Sequence, residues 1–262
     1  MTKTILITGA TDGIGLLTAK KLAAEGHTVL LHGRSKTKLE NAAEEVGGNP
    51  ETYIADLSKI ADLHTLANDI HGNHATIDVI INNAGVLKLP NPTTAQGFDA
   101  RFMVNTFAPY ILTEALLPIL SKGGRVVNLS SAAQAPVDLQ AMLGQRQLDD
   151  MGAYAQSKLA ITIWSHELAE ELGEKAVVVA VNPGSLLASK MVKEGFGVAG
   201  SDLNIGADIL IAAALGDTFA NASGQYFDND SQSFAKPHSA ALDANHRSQV
   251  MQGIKEAVAR LG

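Results

Sequence analysis

The sequence has no cysteine, which excludes disulfide bonds and thiolate metal sites and fits a reducing cytoplasm. It has no evident apolar run that approaches the ~20 residues needed to span a membrane. The first residues, MTKTILITGA, turn polar after a few apolar positions and lack the apolar core of a signal peptide. We therefore expect a soluble, cytoplasmic protein that makes no membrane contact.

A basic surface is missing as well. The 20 lysines and arginines are outnumbered by 27 aspartates and glutamates, and no basic stripe is visible that could neutralise a phosphate backbone. Nucleic acid is therefore not expected as a partner. No serine- or proline-rich linker, single-sign charge run or repeat divides the chain, so we predict a single domain over residues 1–262.

Short apolar runs alternate with longer helix-like segments, two of which begin after Ser35 and Ser58. Runs such as 79–81 and 177–179 are apolar on both faces, as expected of parallel strands covered by helices on each side. The pattern predicts an α/β fold with a doubly wound parallel sheet, a Rossmann fold of about seven strands. The predicted strands are 4–8, 28–31, 52–55, 78–82, 125–130, 177–182 and 224–228.

Ligands of such sheets bind at the carboxyl ends of the strands, and the segment TGATDGIG, residues 8–15, follows the first one. Its glycines permit a tight turn and let backbone N–H groups approach a pyrophosphate, whose charge is favoured at a helix amino terminus. We interpret it as a nucleotide-binding loop, although an ordinary strand-to-helix turn has the same pattern. The candidate cofactor contacts in the loop are Gly9, Thr11, Asp12, Gly13, Ile14 and Gly15.

The second strand is followed by Gly33 and Arg34, where a carboxylate would bind the free 2′-hydroxyl of NAD. The planar fork of an arginine suits a 2′-phosphate, so the sequence predicts NADP (NADPH) in preference to NAD. Arg34 could instead be a solvated surface charge. The carboxylate of Asp12 would weaken the preference if it pointed toward the phosphate.

Two further strand ends carry candidate cofactor contacts. Asp56 could cap the next helix or accept a hydrogen bond from an adenine amino group, and Leu57 follows it. Asn83, Ala84 and Gly85, in the motif NNAG, suit close approach of the backbone to a ligand.

A tyrosine and a lysine stand four residues apart in the segment AYAQSKLAI. On a helix this spacing places Tyr154 and Lys158 one turn apart on the same face. A neighbouring ammonium and the positive charge of an oxidised nicotinamide both stabilise phenolate, so we expect Lys158 and the bound cofactor to lower the pKa of Tyr154. The spacing alone is equally typical of an exposed helix face.

The motifs TGATDGIG, NNAG, MVNTF, NLSS, YAQSK and NPG, in this order, resemble those of the short-chain dehydrogenases/reductases of the Tyr-x-x-x-Lys type over nearly the whole chain. The resemblance implies a catalytic tetrad. Asn105 would hold a water in a proton relay, Ser131 would polarise the substrate oxygen, Tyr154 would be the general acid or base, and Lys158 would also bind the nicotinamide ribose. Ser130 is the alternative to Ser131.

The resemblance also implies that Asn83, Pro183 and Gly184 line the cofactor. The family's threonine after Pro-Gly is missing, because Ala188 stands at the aligned position and Ser189 follows, so that contact is not assigned. We interpret residues 185–202, beside the catalytic edge, as a lid over an apolar substrate.

The segment between Ser131 and Tyr154 and the following SKLA resemble the retinol dehydrogenase branch, which implies a carbonyl or alcohol substrate without establishing a retinoid. We predict an NADP(H)-dependent oxidoreductase. The sequence is compatible with a homo-oligomer, either a dimer or a tetramer. One alternative is a non-catalytic NADP(H)-binding sensor or scaffold. Another is a sugar-nucleotide epimerase or dehydratase, but little sequence follows the seventh strand to form a separate sugar-nucleotide domain. His71 and His74 have no third ligand in view, so we expect no metal site.

Overall fold

A sheet of eight strands forms the centre of the computed structural model, which describes residues 1–188, 191, 193, 197 and 199–262. The strands are β1 Thr4–Ile7, β2 Thr28–Gly33, β3 Glu51–Ile54, β4 Ile77–Asn82, β5 Leu120–Leu129, β6 Ala176–Asn182, β7 Tyr226–Asp228 and β8 Ser233–Ala235. Their order is β3-β2-β1-β4-β5-β6-β7-β8, and the first seven pair in parallel. The winding direction reverses between β1 and β4, which is where ligands of doubly wound sheets bind.

The predicted doubly wound α/β fold is confirmed, with eight strands in place of about seven. The additional strand β8 pairs antiparallel with β7. It is only three residues long and lies among polar residues, so no alternating pattern identifies it in the sequence. Strand β5 begins at Leu120 rather than at residue 125, because its polar and glycine-rich start hides it.

Helices cover both faces of the sheet. They are α1 Gly13–Ala24, α2 Lys36–Val46, α3 Ile60–Asn73, α4 Ala100–Phe102, α5 Ala108–Leu116, α6 Leu139–Met142, α7 Asp150–Leu172, α8 Leu203–Leu215 and α9 Ala244–Leu261. Two separate apolar clusters result, since Ile5 and Ile7 of β1 point to the face covered by α1, α2 and α8, whereas Leu6 points to the other. This burial on both faces explains the continuous apolar runs of the strands.

The two predicted helix starts have different outcomes. Ser35 caps α2, as expected, and its hydroxyl accepts a hydrogen bond from the backbone N–H of Lys38. The prediction for Ser58 is wrong, because α3 begins after Lys59 without a side-chain cap. The Ser58 hydroxyl donates instead to the Asp56 carboxylate at 2.7 Å.

One helical stretch of the described residues, Ala100–Ile119, is long and apolar enough to suit a membrane span, with a mean hydropathy of 1.3 over its most apolar window. The sequence analysis overlooked it. That window is 61% buried within the protein, where Phe107 and Leu112 pack in the core. Burial against the sheet therefore accounts for its composition.

The long segment between Ser131 and Tyr154 packs against the last helix of the chain. Gly253 of α9 makes room for the methyl group of Met142 in α6, because a Cβ there would collide with it. Arg260 donates to the carbonyl oxygen of Leu143 at 3.0 Å, and His246 accepts from the backbone N–H of Val137 at 3.2 Å. The segment before α7 is thus braced by α9.

Candidate active site

The glycine-rich loop after β1 forms an open cradle at the start of α1. Gly9 and Gly13 have φ values of 66° and 55°, in the left-handed region that favours glycine. A Cβ on Gly15 would collide with the Asn83 side chain and with the Gly9 carbonyl. The loop therefore requires glycine at these positions, and Thr11 and Ile14 lie between them.

Asn83 braces this loop from β4. Its amide nitrogen donates to the carbonyl oxygens of Thr8 and Gly9 at 2.8 and 3.0 Å. The backbone N–H of Ala84 donates to the Thr8 hydroxyl at 3.1 Å. The NNAG motif thus supports the shape of the cradle in addition to any contact with a ligand.

Asp12 caps the first helix of the fold, since its carboxylate accepts from the backbone N–H of Gly13 at 2.8 Å. The second carboxylate oxygen lies 3.7 Å from the ammonium of Lys38 in α2. Lys38 was not singled out in the sequence, because only folding brings α2 next to the cradle. The acid that would have weakened an NADP preference therefore has a cationic neighbour.

The end of β2 places a glycine against the cradle and an arginine in solvent. A Cβ on Gly33 would collide with the methyl group of Thr11, so this position is glycine for steric reasons. Arg34 is exposed and lies close enough to the Asp56 carboxylate to influence it.

Asp56, two residues after the end of β3, lies in a tight turn and does not cap the next helix. Its carboxylate accepts from the backbone N–H and the hydroxyl of Ser58. Burial alone would raise the pKa of Asp56, but the Ser58 hydrogen bonds and the charges of Lys59 and Arg34 lower it overall. The neighbouring Leu57 is buried in the core.

His32 is a buried residue that the sequence analysis missed. Its Nδ1 accepts from the backbone N–H of Gly9 at 3.2 Å, and its Nε2 contacts the carbonyl oxygen of Ala55 at 3.0 Å. Burial lowers the pKa of His32 to about 4, so the ring is neutral, and the acceptor role of Nδ1 assigns the proton to Nε2. The side chain ties the cradle to the end of β3.

Tyr154 and Lys158 lie on adjacent turns of α7, as predicted, and the Lys158 ammonium is 5.7 Å from the centre of the Tyr154 ring. That ammonium donates to the carbonyl oxygen of Leu129 at 2.7 Å. Burial lowers the pKa of Lys158 to about 8. Gly85 lies opposite, since a Cβ there would stand 3.6 Å from the Lys158 nitrogen.

The structure does not show the lowered tyrosine pKa that we expected. Burial raises the pKa of Tyr154, and a hydrogen bond with the Ser131 side chain opposes this shift. The ammonium of Lys158 is turned toward the backbone of β5 and does not offset the burial. Phenolate formation would therefore need positive charge beyond that of the protein.

Of the two adjacent serines, Ser131 has the geometry of a catalytic hydroxyl. It is partly exposed and lies close enough to Tyr154 to oppose the rise in the pKa of that phenol. Ser130 is 2% exposed, and its hydroxyl lies 2.6 Å from that of Thr162. We therefore retain Ser131 and assign Ser130 to the packing between β5 and α7.

Asn105 lies in a π-helical turn, Met103–Phe107, that joins α4 to α5. Its side chain makes three hydrogen bonds, accepting from the N–H of Val86 at 2.8 Å and donating to the Val86 carbonyl and to the Ser157 hydroxyl at 3.0 Å each. Ser157, which we did not single out, also donates to the carbonyl of Tyr154 at 2.7 Å. Asn105 thus connects to the turn that carries Tyr154.

Pro183 and Gly184 follow β6 in a loop held from the neighbouring strand. Asn182 donates to the carboxylates of Asp228 and Asp230 at 2.8 and 2.9 Å, and Gly184 has a φ of 124°. The lid predicted for residues 185–202 contains residues 189, 190, 192, 194–196 and 198, which lie outside the described residues.

The two histidines for which the sequence offers no third metal ligand lie in the last turn of α3 and directly after it. His71 lies within α3 and contacts the carbonyl oxygen of Ala115 at 2.7 Å, and His74 ends the same helix 3.1 Å from Glu51. In the described part of the chain, one group of potential metal ligands lies close together, namely His166, Glu167 and Glu170. His166 pairs with Glu170 and Glu167 binds Arg247, so we assign no metal to it.

Comparison with known proteins identifies the family. Residues 3–197 match the family model described as short chain dehydrogenase. The chain belongs to the short-chain dehydrogenase/reductase family. It is therefore an NAD(P)-binding oxidoreductase.

Among the family's curated members, retinol dehydrogenase 13 of Homo sapiens is 32% identical over 262 residues, which cover 90% of this chain and 78% of the relative. Among solved structures, a protein from Mycobacterium paratuberculosis superposes with a TM-score of 0.82 at 28% identity, covering 98% of this chain and 93% of the other. A short-chain dehydrogenase from Shigella flexneri 2a, complexed with NADP, has a TM-score of 0.69 at 31% identity, covering 87% and 97%.

Proposed function

We propose that this protein is an NADP(H)-dependent oxidoreductase that interconverts an apolar aldehyde or ketone and its alcohol. The observation that carries the proposal is the cluster of three side chains at the carboxyl end of β5, in which Ser131 lies close enough to Tyr154 to influence its pKa and Lys158 lies one turn beyond. A phenol, a hydroxyl and an ammonium in this arrangement suit general acid–base catalysis at a carbonyl group.

The cradle fits a dinucleotide. Glycine is required at positions 9 and 15 because a Cβ there would collide with neighbouring atoms of the loop and of Asn83 and Ala84. The loop opens at the amino terminus of α1, where backbone N–H groups favour a pyrophosphate. Gly85 places no side chain beside Lys158. When NADPH is bound, the nicotinamide supplies the hydride.

The protein's own groups move the proton. Burial keeps Tyr154 protonated at neutral pH, so it can donate its proton to a carbonyl oxygen that gains a hydride. The Ser131 hydroxyl donates a second hydrogen bond to the same oxygen. Lys158, largely charged at neutral pH, would bind the ribose, and the positive charge of the oxidised nicotinamide would add to that of Lys158 in stabilising the phenolate that remains. The Asn105–Ser157 contact holds the helix turn on which Tyr154 lies.

The charges around the cradle support NADP(H) over NAD(H). Arg34 is exposed at the end of β2, and Lys38 stands next to the Asp12 carboxylate, so two cations lie where a 2′-phosphate would bind. The Shigella flexneri neighbour, at 31% identity, is complexed with NADP. These observations support the choice of cofactor that the sequence predicts.

Exposed apolar side chains near the catalytic edge support an apolar substrate. Met151 precedes Tyr154 on α7 and is 40% exposed, and Leu186 and Ile205, beside Gly184, are 46% and 45% exposed. Isolated apolar side chains are common on surfaces, but three around one catalytic edge indicate an apolar binding area. The relative named retinol dehydrogenase 13 agrees with this class, and we do not propose a retinoid.

The proposal is tested by incubating the protein with NADPH or NADH and a panel of aliphatic and aromatic aldehydes and ketones while following the reduced-nicotinamide absorbance. We expect NADPH-dependent turnover of at least one apolar carbonyl compound, and the reverse reaction with its alcohol and NADP. Tight NADPH binding without turnover of any panel member would favour a sensor or scaffold. A cytoplasmic location and a homo-oligomer remain predictions, which cell fractionation and light scattering test.

A further inference from the structure

We propose that Gln134 and Tyr226 are positioning residues that together hold the peptide group of Ser131 and thereby orient its catalytic hydroxyl. The inference rests on the proposed function, in which Ser131 polarises the substrate oxygen. It adds two residues from outside the catalytic motifs, one of them in a distant strand.

Ser131 lies beyond the support of the sheet. Strand β5 ends at Leu129, and the backbone N–H of Ser130 still donates to the carbonyl oxygen of Val181 in β6 at 2.8 Å. From Ser131 to residue 138 the chain is irregular. The direction of the Ser131 peptide must therefore be set by side chains.

Two donors meet at the carbonyl oxygen of Ser131. The amide nitrogen of Gln134 donates to it at 2.9 Å, and the phenol of Tyr226 in β7 donates at 3.1 Å. A carbonyl oxygen has two lone pairs, so these two bonds satisfy it and fix the peptide plane in two directions. Neither donor is needed for the strand pairing of the fold.

The orientation of the Gln134 amide is itself determined by its neighbours. The backbone N–H of His238 donates to its oxygen at 3.0 Å, which leaves the nitrogen facing Ser131 and, at 3.3 Å, the Ser130 hydroxyl. A backbone N–H can only donate, so the opposite amide orientation would lose this bond. The segment before α9 thus reaches the catalytic serine through one side chain.

Tyr226 is suited to be a permanent donor. It is 6% exposed, and burial together with the charges of Asp228 and Asp230 raises its pKa, so the phenol keeps its proton over the working pH range. Tyr226 contacts the backbone carbonyl of Ser131 and not its hydroxyl. The hydroxyl accepts instead from the N–H of Ala133 at 3.1 Å and lies beside Tyr154.

The first test uses single variants and the carbonyl substrate found by the panel. Gln134→Met keeps the length of the side chain without its hydrogen bonds, and Gln134→Glu keeps the acceptor for His238 but cannot donate to Ser131 when ionised. We expect both, and Tyr226→Phe, to lower kcat roughly threefold to tenfold with an unchanged KM for NADPH, since one hydrogen bond to the serine peptide is lost. Tyr53→Phe is the matched control, because Tyr53 is also 6% exposed and its hydroxyl bonds only outside the site.

The decisive test places Gln134→Met in a Ser131→Ala background. If Gln134 acts through the Ser131 hydroxyl, it lowers kcat in the wild type and has no further effect when that hydroxyl is absent. Equal losses in both backgrounds, or unchanged kcat in Gln134→Met and Tyr226→Phe, would overturn the inference while leaving the proposed function intact. A Ser131→Ala enzyme with the wild-type rate would instead refute the role of Ser131 itself, and this inference with it.

Discussion

The ammonium nitrogen of Lys158 stands 5.7 Å from the centre of the Tyr154 ring, and burial lowers the pKa of this lysine to about 8. The lysine therefore loses its charge only slightly above neutral pH. Its charge is what the proposed mechanism uses to bind the ribose and stabilise the phenolate.

We predict that kcat/KM for NADPH in carbonyl reduction is level below about pH 8 and falls above it, because kcat/KM reports ionisations of the free enzyme. Steady-state rates between pH 6 and 10 measure this decrease in kcat/KM. In Lys158→Arg, whose guanidinium stays charged, the fall should move to higher pH. A wild-type profile that stays level to pH 10 would contradict the assignment.

We predict that Lys158→Met is inactive but more stable than the wild type at pH 7. The shift of the Lys158 pKa from 10.5 to about 8 lowers the stability of the folded wild type by roughly 3 kcal/mol, and Lys158→Met removes this cost. The variant also loses the hydrogen bond to the Leu129 carbonyl, which lowers its stability by about 1 kcal/mol. Urea unfolding should show a gain of about 2 kcal/mol. Between pH 8 and 10.5 the unfolded state binds more protons, so the wild type gains stability and the difference shrinks. Exposed Lys122→Met is the control, and a Lys158→Met protein less stable than the wild type would contradict the cost assigned to burying Lys158.

We predict that His32 makes the fold sensitive to acid. Its pKa is about 4 when folded and 6.5 when unfolded, so its contribution is present above pH 6.5 and is lost as the pH falls toward 4. Between pH 7 and 5 this amounts to about 2 kcal/mol of unfolding free energy. His32→Asn should be less stable at pH 7 but lack this loss, whereas exposed His64→Asn should keep it. Equal pH dependence in His32→Asn and the wild type would exclude the role.

We predict that Arg34→Ala lowers the ratio of kcat/KM for NADPH to that for NADH roughly tenfold to hundredfold, through loss of charge-assisted bonds to the 2′-phosphate. Lys38→Ala should lower it by a smaller factor, and Lys36→Ala, whose lysine faces Glu40 instead of the cradle, should leave it unchanged. An acid at position 33 is not a clean test, because its Cβ would collide with Thr11. A wild type that prefers NADH would refute the interpretation of Arg34.

Local patterns in the sequence sufficed for the strands and the motifs at their ends. Apolar runs of β-rich residues marked seven of the eight strands, and glycines with a required conformation, such as Gly9 and Gly13, marked the cradle. The sequence pattern gave a wrong helix start where the side chain of the expected cap forms a different local hydrogen bond. Ser58 has the usual identity of a helix cap but its hydroxyl donates to Asp56.

The residues that support the site could not be predicted in the same way. His32, Ser157 and Tyr226 act through hydrogen bonds to partners that only folding brings near, such as Tyr226 to Ser131 across 95 positions of the chain. The direction of the Tyr154 pKa was also missed, because burial, which no spacing reveals, outweighs the neighbouring lysine.

In the proposed reaction, Tyr154 transfers the proton to the substrate during NADP(H)-dependent carbonyl reduction. The most direct measurement compares wild type and Tyr154→Phe in single-turnover reduction of the same carbonyl substrate, with NADPH affinity determined from nicotinamide fluorescence. We predict a rate at least about a hundredfold lower in Tyr154→Phe with nearly unchanged NADPH affinity, because only the transferable proton is removed. A Tyr154→Phe enzyme that reduces the substrate at close to the wild-type rate would contradict it.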